Sequence, residues 1–171
     1  MHKNLVIALV MVGTVAYAQE ADKAKEKPVF HEVSNKEVVM SVYPDAVKVE
    51  KVNNFWYRIL DKNKKVLGFA MSSMPFCLSV KGYNDHTPVM IITDKTWKIQ
   101  KVSILSNFET LGYVRRLERK GFFKLWDGKT LKEAKKVQID GYSGATCTAT
   151  AVSKNVSYLL ENGTKKLPKT K

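Results

Sequence analysis

The sequence predicts an α+β fold: a single domain on one antiparallel, twisted sheet of hairpins with flanking helices. Three observations carry this. Two pairs of β-branched and aromatic runs, 55–60 with 66–71 and 89–92 with 99–105, are each joined by a polar turn. Two amphipathic helical stretches follow, at 111–120 and 146–161. Nothing alternates strand with helix, and no segment repeats.

Length and composition agree with one core. The chain has 171 residues and is 44% apolar, too apolar for a disordered polyelectrolyte despite a net charge of +13. Nine Gly and five Pro exclude collagen-like and low-complexity classes. No apolar run reaches the roughly 18 residues that a membrane-spanning helix needs. The lysines are scattered through every segment, without a dense basic stripe interleaved with aromatics, so nucleic acid is not the expected partner.

The elements follow in order. His2, Lys3 and Asn4 make a short polar start, Leu5 to Val15 is almost wholly apolar, and Ala16-Tyr17-Ala18 ends it with small residues at the two positions that signal peptidase reads. That is the pattern of a secretory signal peptide over 1–18. Residues 19–30 read as a charged linker, because QEADKAKEKP carries no large apolar residue. The domain is expected over 31–164. Ser34 and Glu37 form a capping box, with Val33 and Val38 as its staple, so a short helix should run to about Val42 and be bounded by Pro44. The two hairpins come next, turning at Asp61–Lys64 and at Thr93–Lys98, with Trp97 expected in the core.

In the helix from Leu111, Val114 and Leu117 share a face, and Gly121 is a natural stop. Phe122, Phe123 and Trp126 should cover the sheet. The last helix places Ala149, Val152, Val156, Leu159 and Leu160 on one side, with Asn162-Gly163 as its stop. A basic tail occupies 165–171.

Export would put Cys77 and Cys147 in an oxidising compartment. A disulfide and separate burial as small hydrophobes are both open to them. Two cysteines are too few for a structural zinc site, and no His, Cys or carboxylate spacing reads as a metal motif.

The chemistry sits where the last helix begins. Residues 140–148 read Asp-Gly-Tyr-Ser-Gly-Ala-Thr-Cys-Thr, a small-residue turn running straight into a helix. Ser143 is a good N-cap residue, and Gly144 allows close approach of a backbone or a ligand. The free N–H groups and the helix dipole suit an anion such as a phosphate, and Thr146 and Thr148 add hydroxyls to the same turn. An ordinary capped helix, with Ala145 and Gly144 kept small for packing, fits the residues equally well. The P-loop frame is absent.

This run resembles the flavinylation motif of the FMN-binding domain family, which includes the G subunit of Rnf electron-transport complexes and the C subunit of the sodium-pumping NADH:quinone oxidoreductase. The family motif is an Asp, then Ser- or Thr-Gly-Ala-Thr, one variable residue, and a final Thr or Ser that carries FMN through a phosphodiester bond. The resemblance implies that Thr148, not Thr146, is the acceptor, and that a separate Mg-dependent flavin transferase loads it after export. It implies a recognition role for Asp140; the residue type alone equally suits hydrogen bonds to the turn.

Upstream, Tyr43-Pro44-Asp45-Ala46, Val66-Leu67-Gly68-Phe69-Ala70 and Gly82-Tyr83-Asn84 are similar to family segments. Glu109-Thr110-Leu111-Gly112 resembles the Glu-Thr-Pro-Gly segment that lies near the flavin in relatives. By itself it also reads as a strand exit, with Thr110 capping the next helix. Leu111 replaces the family's Pro, Asp85 a common Gly, and Cys147 an aliphatic.

Together with the signal peptide and the lack of a membrane-spanning run, which sets it apart from the complex subunits, the resemblance implies an exported, free-standing electron carrier with covalent FMN, facing the periplasm or the outer surface of a bacterium. Its partners would be membrane or extracytoplasmic redox components, and the positive charge would either be plain solvation or steer it to an acidic partner or an anionic membrane face. A flavin reductase with its own small substrate is the enzymatic alternative, although no His or Arg constellation advertises one. A non-flavinylated binding protein of the same fold is the other alternative.

Overall fold

The computed structural model describes residues 27–139 and 142–169. The signal-peptide stretch, most of the charged linker, the end of the tail and Asp140 with Gly141 lie outside them. The architecture is one five-stranded sheet in the order β1-β2-β3-β4-β5, every pair antiparallel. The strands are β1 Lys48–Lys51, β2 Trp56–Leu60, β3 Val66–Ser72, β4 Val89–Asp94 and β5 Ile99–Ile104. The helices are α1 Asn35–Met40, α2 Leu111–Arg119, α3 Leu131–Ala134 and α4 Thr146–Gly163.

Both expected hairpins form. The five strands exceed the expected four because β1, of sequence KVEK, is an exposed edge strand with a Lys48–Glu50 ion pair on it. Such a strand carries charge rather than an apolar alternation, which keeps the edge from pairing with other chains.

Alternation along the strands gives the sheet two faces. One presents Trp56, Phe69, Met71, Val89, Ile91 and Val102 to α2, α4 and the 3₁₀ turn Phe122–Trp126. The other presents Ile59, Ala70, Met90 and Ile92 to Val38 and Val39 of α1. Ser34 caps α1 by accepting from the Glu37 N–H, and α1 ends at Met40, two residues short of the expected limit. Trp97 is half-buried rather than core. It sits at φ 67° in the β4–β5 turn and stacks on Phe69, with ring centroids 4.6 Å apart.

Gly121 ends the α2 segment in the left-handed conformation, as its position implies. Gly163 does not act that way. It stays helical at φ −64°, and its carbonyl accepts from the buried Trp56 Nε1 at 2.9 Å. A β-carbon there would overlap Met71 Sδ. This glycine serves close packing of α4 on the sheet, so α4 runs two residues past its expected end.

Candidate functional site

The turn before α4 is built by Tyr142–Ala145, where the Ala145 N–H donates to the Tyr142 carbonyl at 3.0 Å. Gly144 takes φ 81°, a conformation L side chains rarely adopt. Ala145, buried, is the N-cap residue, and among the described residues no side chain caps α4. Ser143 is therefore not the N-cap. It stands exposed in the turn, because the left-handed step at Gly144 delays the helix by two residues. The N–H groups of the first turn of α4 carry the positive end of an 18-residue helix. Asp140 lies outside the described residues.

Two hydroxyls follow, two positions apart and so on opposite sides of the helix. Thr146 is exposed, and its hydroxyl donates back to the Tyr142 carbonyl at 3.0 Å. Thr148 is fully buried, and its hydroxyl donates to Glu109 Oε2. Glu109 is itself fully buried. Its oxygens also accept the backbone N–H groups of Tyr83, at 3.1 Å, and Asn84, at 2.9 Å. Among the described residues no cation pairs with it.

A buried carboxylate is tolerable when hydrogen bonds take over the role of water, and here four donors do so: the Thr148 hydroxyl and the backbone N–H groups of Tyr83, Asn84 and, at 3.5 Å, Asp85. The 82–84 loop comes close because Gly82 has no side chain: a β-carbon there would lie 2.7 Å from Glu109 Oε1 and 2.8 Å from Thr87 Cγ2. The Thr87 hydroxyl, buried in the same cluster, has no hydrogen-bond partner among the described residues.

Residues 109–112 thus split. Glu109 reaches the Thr148 hydroxyl. Thr110 is the exposed N-cap residue of α2, without a side-chain cap bond, while Leu111 is 43% exposed and Gly112 faces open space. One turn further along α2, Arg116 lies against the turn before α4, its Nη1 occupying the place a β-carbon of Gly144 would take. Tyr113 packs edge-on against the exposed Tyr83, with centroids 5.1 Å apart.

Sequence reasoning missed Arg116 and the Tyr83–Tyr113 pair. The available signal was the helical spacing, which sets residues three and four apart on one face and so puts Arg116 beside Tyr113 and one turn on from Gly112.

The cysteines are separate and free, Cys77 buried and Cys147 exposed. Burial pushes the Cys77 thiol above its ordinary pKa. A groove of about 480 Å³ runs along the outer side of α4 between Thr146 and Glu161, on the side away from Thr148.

Residues 82–161 match the FMN-binding domain family. The match takes in the Gly82 loop, Glu109, α2 and α4 into its last turn. Among solved structures, the chain is similar to the crystal structure of Shewanella oneidensis NqrC, at 14% identity and a TM-score of 0.43, over 75% of this chain and 72% of that one. No curated protein matches it.

Proposed function

We propose, from the match of residues 82–161 to the FMN-binding domain family, an exported electron carrier whose FMN is joined through its phosphate to Thr148. The observation that supports this reading is the Thr148–Glu109 pair at the start of α4, inside the matched stretch.

The residues present fit the group. A hydroxyl for the ester stands in the first turn of a helix whose dipole and N–H groups favour an anion. Arg116 adds a cation beside that turn. Tyr83, Tyr113 and Leu111 offer exposed or half-buried apolar surface on the neighbouring elements. The flavin, once attached, supplies the redox chemistry, and the protein holds it and shapes its surroundings. Thr148 is a tether and takes no part in electron transfer. A covalent bond keeps the group on the protein where no free FMN pool surrounds it. Cleavage after Ala18, a flavin transferase for maturation, and redox partners at the membrane or beyond complete the proposal.

The test is the intact mass of protein co-expressed with a flavin transferase. The expected result is a gain of one FMN less one water, with colour that survives denaturation. Thr148→Ala abolishes the gain, and Thr146→Ala leaves the flavin on the peptide that holds Thr148. Flavin on any other peptide would overturn the assignment.

A further inference from the structure

We infer that Glu109 is the general base of flavin attachment: it takes the proton of the Thr148 hydroxyl as that oxygen is esterified, and it keeps the proton afterwards. This rests on the reading of Thr148 as the acceptor. Three features of the cluster carry it.

The first is access. Thr148 exposes none of its surface, so bulk water does not reach its hydroxyl in the closed fold. Among the described residues the hydroxyl has one partner, Glu109 Oε2. The proton already points at a carboxylate, and the lone pairs of Oγ remain free for a new bond. Attachment then requires local opening at this end of the domain, and the pairing has oriented the hydroxyl beforehand.

The second is balance. In the transfer, Oγ forms a bond to the flavin-side phosphorus of a flavin dinucleotide presented by the transferase. The anhydride bond to the second phosphorus breaks, and the nucleoside monophosphate leaves with its electron pair. The Thr148 proton passes to Glu109. Nothing is oxidised or reduced.

The third is what the cluster must tolerate afterwards. The esterified Oγ has no hydrogen left to donate, and the phosphodiester carries a negative charge. An ionised Glu109 would face that charge at contact distance with its fourth hydrogen-bond donor gone, and like charges so close disfavour one another. A protonated Glu109 removes the repulsion and returns a donor to the ester. The backbone N–H groups of Tyr83 and Asn84 hold the carboxyl in place in either state.

The experiment follows loading of the full chain by purified transferase with flavin dinucleotide, read as mass gain against time. Glu109→Gln keeps the shape and one accepting oxygen but takes up no proton. Its loading rate should fall by about 10²-fold or more, with near-ultraviolet circular dichroism unchanged. A second measurement needs no variant: isotope-edited infrared difference spectra of wild-type protein carrying ¹³C-labelled glutamate, before and after loading. A new protonated carboxyl band on loading is expected, and a purely structural Glu109 would not produce it. Wild-type protein that loads without that band, or a folded Glu109→Gln variant that loads at the wild-type rate, would overturn this proposal alone. Wild-type protein that never gains mass would overturn the acceptor assignment and this proposal with it.

Discussion

Arg116 of α2 lies against Gly144 of the turn before α4, its guanidinium filling the space where any other residue at 144 would put a β-carbon. Two elements 28 positions apart therefore meet through the absence of a side chain. Gly144→Ala should fail on both counts. The φ of 81° is strained for an L residue, by about 1–2 kcal/mol, and the new methyl displaces Arg116. Urea unfolding of the unloaded variant should show the loss, and loading at Thr148 should slow.

Arg116→Ala separates the two effects. Arg116 is exposed, and no described carboxylate pairs with it, so stability of the unloaded protein should stay within about 0.5 kcal/mol of wild type. The loaded protein should lose part of the thermal stabilisation that the phosphate confers, and the loss should shrink as salt rises. Melting curves of both forms at low and high salt test this.

Gly163→Ala should destabilise without touching the site. The added methyl would overlap Met71 Sδ, which packs next to the Trp56 indole whose Nε1 donates to the Gly163 carbonyl. Overpacking of this kind is worth about 1–3 kcal/mol. Equilibrium unfolding followed by tryptophan fluorescence should report it, with loading at Thr148 retained below the melting temperature.

Asp94 gives the fold an acid limb. Burial pulls its pKa up, but the Thr96 hydroxyl and the N–H groups of Lys98 and Thr96 outweigh it and hold the carboxyl below its ordinary 3.8. The folded protein thus binds this proton more weakly than the unfolded chain. The stability it contributes is present above 3.8 and fades as pH falls through the lower folded value. Asp94→Asn should flatten the decline in melting temperature on the acid side.

The two thiols should differ in reactivity. Cys147 is exposed beside Thr148 in the chain, whereas Cys77 is buried with its pKa raised. An aromatic disulfide reagent should titrate one thiol rapidly in the native protein and the second only on unfolding. Cys147→Ser should abolish the fast phase.

What the sequence made legible was local. The hairpins 56–72 and 89–104 announce themselves by β-branched runs and polar turns, and α2 and α4 by their apolar stripes. What stayed hidden depends on partners distant in sequence. Strand β1 is a strand because Val49 and Glu50 pair with Ile59 and Arg58, not because KVEK favours one. Gly163 reads as a helix stop until Met71 and Trp56 are set beside it. Ser143 reads as a cap until the left-handed step at Gly144 moves the N-cap to Ala145. Within the site, motif resemblance singled out both Thr148 and Glu109. Their pairing across 39 positions, and the clasp of the 82–84 loop on Glu109, come only from the fold.

The order of the strands along the chain has a consequence in time. Each strand of the sheet pairs with the one made just before it, so a growing chain can lay down β1 to β5 in sequence. The helix that carries Thr148 is made after all of them. The pair of Glu109 and Thr148 spans that order: it joins the segment just after the last strand to the last helix, so it can form only once every strand of the sheet has been made.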